Sequence, residues 1–177
     1  MKKNKKKYFG NKIYLTLINK KNLSKNYKKW LNDKENSKFM EFRFININDK
    51  NVNRFLDNAI NSKNDYFFGI FYNENNTHIG NIKIGNIDFN HQTAEVGFML
   101  GEKIYKKKGI MTEALKIATF ISFTKLKLKY ICGYVYEKNI ASIKVFKKNK
   151  YKLAGVFKKK MLFKNKRINL LCYERNY

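Results

Sequence analysis

The chain has 177 residues, a length that fits one domain of ordinary size. Hydrophobic residues make up 44% of it and aromatic residues 16%, enough for a packed core, which excludes a wholly disordered chain. Lys and Arg number 39 against 13 Asp and Glu, so the formal net charge is +26. This charge suits a polyanionic partner. A Lys-, Asn- and Ile-rich chain without Pro also fits a low-GC genome, so charge alone does not define function.

Other features of the chain exclude membrane-spanning, secreted and disulfide-rich proteins. No apolar run approaches the roughly 18–20 residues that span a bilayer. The basic start is followed by polar residues, so we expect a flexible tail at 1–7 rather than a secretory signal, and one domain over 8–177. Only two cysteines occur, Cys132 and Cys172, each in an apolar run. This predicts reduced, buried thiols and a cytoplasmic location.

The first third of the chain predicts a strand followed by two amphipathic helices. Residues 12–18 alternate as a strand does. Residues 22–33 place Leu23, Tyr27, Trp30 and Leu31 on one helical face, and residues 48–62 repeat that spacing. An aromatic connection over 38–44 joins the two predicted helices.

From residue 65 onward the pattern changes to strands with short turns. Strands are predicted at 65–72, 77–88 and 93–100, and turns this short indicate an antiparallel meander. The elements that follow are a helix, a strand, a helix and two strands, at 110–125, 130–136, 139–150, 153–157 and 168–173. This order predicts an α/β (α+β) fold with a seven-stranded mixed sheet, in which the meander runs into a β-α-β-α unit, flanked by four helices.

A basic loop between a strand and a helix has the geometry of an anion site. Its residues are Lys106, Lys107, Lys108 and Gly109, and the predicted helix opens at Ile110. Glycine permits close backbone approach, the first helical N–H groups lack intrahelical partners, and the helix dipole favours negative charge there. Taken alone, the segment fits an ordinary basic loop equally well.

A second segment decides between these two interpretations. Asn139 stands at a predicted helix start, where it is a good cap, and Ser142 follows three residues later on the same face. With both segments in this order, the chain resembles the GNAT superfamily of acetyl-CoA-dependent N-acetyltransferases. Within it, the chain is most similar to the branch of ribosomal-protein N-terminal (alanine/serine) acetyltransferases, from about residue 12 to residue 173.

The resemblance is carried by the two motifs, with some departures. The family loop Q/R-x-x-G-x-G/A stands here as Lys106 to Met111, and the continuation Thr-Glu-Ala is intact at 112–114. The later N-x-x-S motif is Asn139 to Ser142. Lys106 replaces Gln or Arg, Met111 replaces a small residue, and Phe146 stands where many members carry a tyrosine.

The resemblance implies acetyl-CoA as cosubstrate and no metal. It implies that the strand at 95–100 splays from the strand at 130–136, with pantetheine lying in the gap and backbone N–H groups polarising the thioester. The residues implied to contact the cofactor are Phe98, Met99, Leu100, Lys106, Lys107, Lys108, Gly109, Ile110, Met111, Thr112, Asn139, Ser142 and Phe146.

The candidate catalytic residues are Glu95 and Ser142. Glu95 is the only acid inside its strand and is our candidate base, directly or through water. Glu41 and His91 are the reserves. Ser142 is the candidate donor to the departing thiolate, and Tyr134 and Tyr136 are alternative hydroxyl groups on the neighbouring strand.

The acceptor is predicted to be a primary amine, and two classes stay open. The first is an amino group on a small molecule such as a nucleotide-linked amino sugar, because Arg43 offers a fork suited to phosphate or carboxylate. The second is a protein N-terminus. The predicted acceptor-side residues are Trp30, Phe39, Met40, Glu41 and Arg43. A basic nucleic-acid-binding module is disfavoured because the lysines are spread through every segment, and a monomer or homodimer is expected.

Overall fold

Eight strands form one mixed sheet in the part of the chain described by the structure, a computed structural model that covers residues 6–45 and 47–177. Along the sheet the strands lie in the order β1-β2-β3-β4-β5-β6-β8-β7. Their bounds are β1 Tyr8–Phe9, β2 Ile13–Leu17, β3 Tyr66–Tyr72, β4 His78–Asp88, β5 Thr93–Leu100, β6 Tyr130–Tyr136, β7 Lys152–Phe163 and β8 Lys166–Asn176. Most of the predicted tail at 1–7 lies outside the described residues.

Five α-helices accompany the sheet within the same ranges. They are α1 Tyr27–Asn32, α2 Lys34–Ser37, α3 Asp49–Asn61, α4 Ile110–Phe120 and α5 Ile140–Lys148. Side-chain caps explain where α3 and α5 begin, because Asn48 accepts from the N–H of Asn51 and Asn139 accepts from the N–H of Ser142. None of the helices in the described ranges is long and apolar enough to cross a membrane.

The predicted mixed sheet is confirmed. Strands β1 to β5 pair antiparallel in chain order, and β5 pairs parallel with β6 after the crossover through α4. The last hairpin folds back so that β8 lies between β6 and β7. The parallel pair therefore sits in the middle of the sheet, with antiparallel strands on both sides of it.

The predicted counts of seven strands and four helices are wrong. The additional strand is β1, where Tyr8 pairs with Leu15. The additional helix arises because Asp33 is extended and accepts from the N–H groups of Glu35 and Asn36, which ends α1 and starts α2. Strand β7 also runs six residues beyond the predicted end at Phe157, through a bulge that carries consecutive lysines.

The sheet buries a different cluster on each face. Alternate residues of the strands, such as Leu15 and Val96, pack on one face against α4 and α5. Residues of the opposite set, such as Tyr14 and Met99, pack under α1 and α3 on the other face. The face with α4 and α5 is called the helix-pair face below, and the opposite one the acceptor face.

A buried histidine attaches the segment before α1 to the sheet. His78 Nδ1 accepts from the N–H of Ser24 at 3.0 Å, and its Nε2 lies 3.0 Å from Oδ1 of Asn81. The ring lies between those of Trp30 and Phe71. Burial lowers the pKa of His78 to about 4, so the folded protein holds this imidazole neutral.

The depressed pKa of His78 predicts a loss of stability in weak acid. The unfolded chain takes up a proton near pH 6.5, whereas the folded chain does so only near pH 4. Stability from this group is therefore complete above about pH 6.5 and falls as pH decreases toward 4. We expect the unfolding free energy to fall by about 2 kcal/mol more between about pH 7 and pH 5 in the wild type than in His78→Gln, measured by urea denaturation. Parallel pH curves for the two proteins would contradict this.

Candidate active site

The sheet splits between β5 and β6. Parallel pairing joins only three residues of each strand and ends with Glu95 opposite Cys132. Beyond that point β5 stays paired with β4 as far as Leu100, while β6 stays paired with β8 as far as Tyr136. The expected splay is confirmed, and one backbone edge of β5 from Val96 onward faces a gap rather than a strand.

Phe146 of α5 fills the split on the helix-pair face. A Cβ on Gly133 of β6 would lie 2.4 Å from the Phe146 ring and 2.9 Å from the carbonyl oxygen of Val96. The ring also contacts Phe98 and stacks on Tyr173, with centroids 5.4 and 5.7 Å apart. Phe146, predicted to contact the cofactor, is only 2% exposed and is part of the core.

Gly97 leaves an opening on the β5 side of the split. Among the described residues, apart from Gly97 itself and its two chain neighbours, no heavy atom lies within 4 Å of the position that a Cβ on Gly97 would take. Its φ angle is not in the left-handed region, so the glycine is needed for space rather than for conformation. Our sequence analysis began the contact segment at Phe98 and missed Gly97, although a glycine inside a strand is a recognised signal of close approach by a ligand or another chain.

The start of α4 forms an open cradle of backbone N–H groups. Gly109, the residue before α4, has φ of 80°, and nothing lies within 4 Å of its missing Cβ. The first bond of the helix runs from the N–H of Glu113 to the carbonyl of Gly109, at 3.1 Å. The N–H groups of residues 110–112 therefore have no intrahelical acceptor and, with the helix dipole, suit a phosphate.

The three lysines of the loop differ in their surroundings. Lys106 Nζ donates to Oδ1 of Asn36 at 2.7 Å, which links the loop to α2. Lys108 lies over the ring of Tyr105. Lys107 is exposed, with φ of 62°. The three ammonium groups are thus not equivalent. The backbone N–H groups of residues 110–112 are the part of the site that does not depend on where the lysine side chains lie.

Other predicted cofactor residues lie at the starts of the two helices. Ile110 is buried and Met111 packs against the core. The carbonyl of Thr112 accepts from the Asn149 side chain at 3.1 Å, which ties the start of α4 to the end of α5. Asn139 follows β6 after a two-residue turn, its N–H donates to the carbonyl of Tyr136, and its cap places Ser142 in the first turn of α5.

Glu95 lies on the acceptor face where the split begins. The two cysteines beside it are free and buried, as predicted. Burial, followed by Cys172 and Glu95, raises the pKa of the Cys132 thiol to about 12, so this thiol is unreactive near neutral pH. The reserve base His91 is exposed in the turn between β4 and β5, before the split, where its N–H donates to Asp88.

Three of the predicted acceptor-side residues meet at the end of β6. The hydroxyl of Tyr136 donates to Oε1 of Glu41 at 2.7 Å and accepts from Nη2 of Arg43 at 3.1 Å. The ring of Phe39 contacts Tyr136 and stacks on Phe163 of β7. Glu41 thus keeps carboxylate oxygen available at an exposed position beside an aromatic wall.

Arg43 also makes contacts away from Tyr136, and the remaining two predicted acceptor-side residues pack into a hydrophobic cluster. Arg43 donates to the carbonyls of Lys38 and Leu162, each at 2.7 Å, and so clamps the 3₁₀ turn Glu41–Phe44 to the tip of the last hairpin. Trp30 is 4% exposed and donates to Glu102 at 3.0 Å. Met40 packs into the cluster on the acceptor face. Trp30 and Met40 thus share a hydrophobic cluster, whereas Phe39 and Glu41 contact Tyr136 at the end of β6.

A cavity of about 540 Å³ opens next to the group formed by Glu41, Arg43 and Tyr136. Its apolar wall is formed by Leu31, Phe42, Ile45, Ile47 and Phe163, and its basic rim by Lys34, Lys38, Arg43 and Lys164. Glu35 is the only acid in the lining and already pairs with Lys38 at 2.7 Å. The cavity therefore combines an apolar surface with net positive charge.

The chain was compared with known families, curated proteins and solved structures. The family model for the acetyltransferase (GNAT) domain matches residues 13–152. The probable N-acetyltransferase YjcK of Bacillus subtilis (strain 168) is 36% identical over 106 residues. That match covers 59% of this chain and 55% of YjcK, so it spans about half the length of the relative.

Two solved structures share the fold at low identity. The ribosomal L7/L12 alpha-N-protein acetyltransferase RimL, in complex with coenzyme A, superposes with a TM-score of 0.82 at 14% identity, over 94% of this chain and 95% of that one. The microcin C7 self-immunity acetyltransferase MccE, in complex with acetyl-CoA and AMP, gives 0.79 at 19%, over 95% and 94%. Since the family model covers most of the chain and the split sheet agrees with it, the chain belongs to the GNAT acetyltransferase family.

Proposed function

We propose that this protein transfers acetyl from acetyl-CoA to the primary amine of a small, anionic molecule, such as a nucleotide-linked amino sugar. The observation that carries the choice of acceptor is the cavity with an apolar wall and basic rim beside Glu41 and Tyr136. The family supports the acetyl transfer, and the residues of the split support the choice of cosubstrate.

The residues around the split fit acetyl-CoA. The backbone cradle after Gly109 suits the pyrophosphate, and the space beside Gly97 suits the narrow pantetheine arm. Asn139 and Ser142, at the start of α5, would lie along the same arm. When bound, acetyl-CoA supplies an acetyl thioester, which has an electrophilic carbonyl carbon and a thiolate leaving group.

The chain's own groups then divide the remaining work. Glu95 takes the proton of the amine, directly or through water. Backbone N–H groups along the open edge of β5 stabilise negative charge on the carbonyl oxygen. The hydroxyl of Ser142, on the α5 side of the split, donates a hydrogen bond to the departing thiolate.

The charges around the cavity favour an anionic acceptor over a polyamine. Lys34, Lys38, Arg43 and Lys164 would repel a polycation, whereas they attract phosphate. Glu41 is placed to receive the amino end, since its carboxylate lies outside the basic rim. The neighbour MccE, whose structure holds AMP, is consistent with a nucleotide in this fold. A protein N-terminus is the alternative acceptor, as in RimL.

The first prediction from the proposed function concerns the cradle of backbone N–H groups at the start of α4. We expect Gly109→Val to weaken acetyl-CoA binding more than replacement of Lys106, Lys107 and Lys108 by Ala, because the valine both strains the positive φ and obstructs the backbone. The triple lysine variant should weaken binding about tenfold to a hundredfold. Calorimetry with acetyl-CoA measures both.

The control is a lysine set at the other end of the same helix. Lys125, Lys127 and Lys129 follow α4, and Lys127 shares the positive φ of Lys107. Their replacement by Ala should leave acetyl-CoA affinity within twofold of the wild type. Equal losses from the two lysine sets would place the phosphate site elsewhere.

The second prediction concerns the base. We expect Glu95→Gln to lower kcat by roughly 10²–10⁴, because the amine loses its proton acceptor, with little change in acetyl-CoA affinity. Thiol release under saturating substrates measures kcat. Glu74→Gln, an exposed glutamate in the turn between β3 and β4, is the control. A loss below threefold would transfer the role to Glu41 or to water.

The third prediction identifies the acceptor. Thiol release from acetyl-CoA is followed with a nucleotide-linked 4-amino sugar, spermidine, and peptides that begin with Ser or Ala. We expect kcat/KM for the nucleotide-linked amine to exceed the others by at least tenfold. Replacing Lys34, Lys38 and Lys164 by Ala should raise its KM about tenfold, with KM for acetyl-CoA unchanged.

The outcomes of this panel separate the acceptor classes. A peptide turned over most efficiently would establish the protein N-terminal alternative. A preference for spermidine would contradict the charge argument. Absence of a thermal shift with millimolar acetyl-CoA would remove the acetyltransferase proposal itself, because a ligand at 100 times its Kd stabilises by about 2.7 kcal/mol.

A further inference from the structure

One tyrosine lies directly beside the opening of the split on the acceptor face. Glu95 and Cys132 are paired across β5 and β6, so the next residues on their face are Gly97 and Tyr134. Gly97 has no side chain, and in the described part of the chain no heavy atom beyond its two chain neighbours lies within 4 Å of its missing Cβ. Tyr134 is 44% exposed, although large aromatic side chains in strands are usually buried. Two residues beyond the last pair, Tyr134 of β6 and Gly97 of β5 therefore stand on either side of the split.

The groups around Tyr134 keep its hydroxyl protonated. Cys132 lies two residues earlier on the same face of β6, Cys172 of β8 is paired with Tyr134, and Glu95 of β5 is paired with Cys132. The ring of Phe157 on β7 lies 6.0 Å away. Cys132, then burial, Cys172 and Glu95 raise the pKa of Tyr134 to about 12. The hydroxyl therefore remains a hydrogen-bond donor over the whole working pH range.

The other candidate donors do not replace the Tyr134 hydroxyl as a hydrogen-bond donor to the departing sulfur. Phe146 carries none and is buried in the split. The backbone N–H groups of β5 lie along the strand edge, where they suit the carbonyl oxygen rather than the sulfur. Ser142 approaches only from α5. A donor on β6, across from Gly97, reaches the gap from the acceptor face.

We propose that Tyr134 is a catalytic residue, whose hydroxyl donates a hydrogen bond to the sulfur that leaves during acetyl transfer. The inference rests on the proposed function. In the step, the amine nitrogen forms a bond to the acetyl carbon, the carbon–sulfur bond breaks with its electron pair going to sulfur, and Glu95 takes the proton of the amine. Tyr134 keeps its own proton and stabilises the thiolate until solvent protonates it.

A binding experiment tests the hydrogen bond without turnover. CoA and desulfo-CoA differ only in the thiol, and a substantial part of the CoA thiol is ionised near pH 9. We expect wild-type protein to bind CoA about tenfold more tightly than desulfo-CoA at that pH, by calorimetry under a reducing agent. Tyr134→Phe should reduce the difference to less than threefold, with desulfo-CoA affinity unchanged.

The matched control is the tyrosine at the other end of the same strand. Tyr130 bonds Glu174 at 2.9 Å and lies in the paired part of β6, so Tyr130→Phe should retain the full difference. In turnover, Tyr134→Phe should lower kcat at least tenfold without raising KM for acetyl-CoA. A tyrosine that only forms a wall would leave the CoA preference intact, and that result would overturn the proposal.

Glycine variants test the geometry on the opposite side of the gap. Gly97→Val should weaken acetyl-CoA binding at least tenfold, since the branched side chain takes the free space. Gly155→Val is the control, because Gly155 on β7 is equally open and lies away from the split. Equal affinities for Gly97→Val and the wild type would overturn the placement of Tyr134 across from the ligand.

The proposed function and this inference fail in different ways. If the wild type bound neither CoA nor desulfo-CoA, both would be overturned. If the wild type bound CoA and released thiol with an amine, while Tyr134→Phe kept its CoA preference and kcat, only the role of Tyr134 would be overturned.

Discussion

The end of hydrogen bonding between β5 and β6 is the constraint on which the site depends. Up to Glu95 and Cys132 the two strands share a parallel ladder, and beyond that pair each follows a different neighbour. Backbone groups that lose a strand partner must find another acceptor or donor, because leaving them buried and unpaired is costly. A sheet that opens in its centre therefore provides a row of backbone groups ready for an extended ligand.

Two glycines, one on each strand of the split, serve opposite purposes. Gly133 of β6 leaves room for Phe146, so the core closes beneath the opening on the helix-pair face. Gly97 of β5 leaves room that no protein atom fills. The first keeps the strands apart with a packed side chain, and the second keeps the space between them accessible. A packed contact and an open space thus depend on the same residue type in one layer of the sheet.

Features that depend on local spacing could be predicted from the sequence, and features that depend on distant partners could not. The bounds of β5 and β6 agree with the alternation of apolar residues, and Gly109 and Asn139 stand at helix starts as expected. The helix predicted over 22–33 begins only at Tyr27, and Asp33 at its end caps a further short helix, α2, that was not predicted. The continuation of β7 beyond Phe157 was not predicted, because three consecutive lysines at its bulge interrupt the alternation of apolar and polar residues.

The candidate site shows the same division. The cradle of backbone N–H groups after Gly109 is a local motif, and the helix start that forms it was predicted. Arg43 was expected to bind an anion through its fork, yet two of its N–H groups bond carbonyls of Lys38 and Leu162. No local sequence pattern predicts a hydrogen bond between residues that are 119 positions apart in the chain. The position of Trp30 depends on a distant partner as well, since its helix turns the indole onto Gly101 of the loop after β5.

The positive charge of the chain can direct specificity only through the lysines that line the cavity. At physiological ionic strength, exposed charges are screened beyond about 8 Å, so most of the +26 charge acts weakly on a bound acceptor. Lys34, Lys38 and Lys164 lie within that reach of any molecule in the cavity, and its one acid already has a partner. The composition of the whole chain therefore accounts for general attraction to anions. Under the proposed function, the apolar wall next to those three lysines would select an anion that also carries an apolar surface.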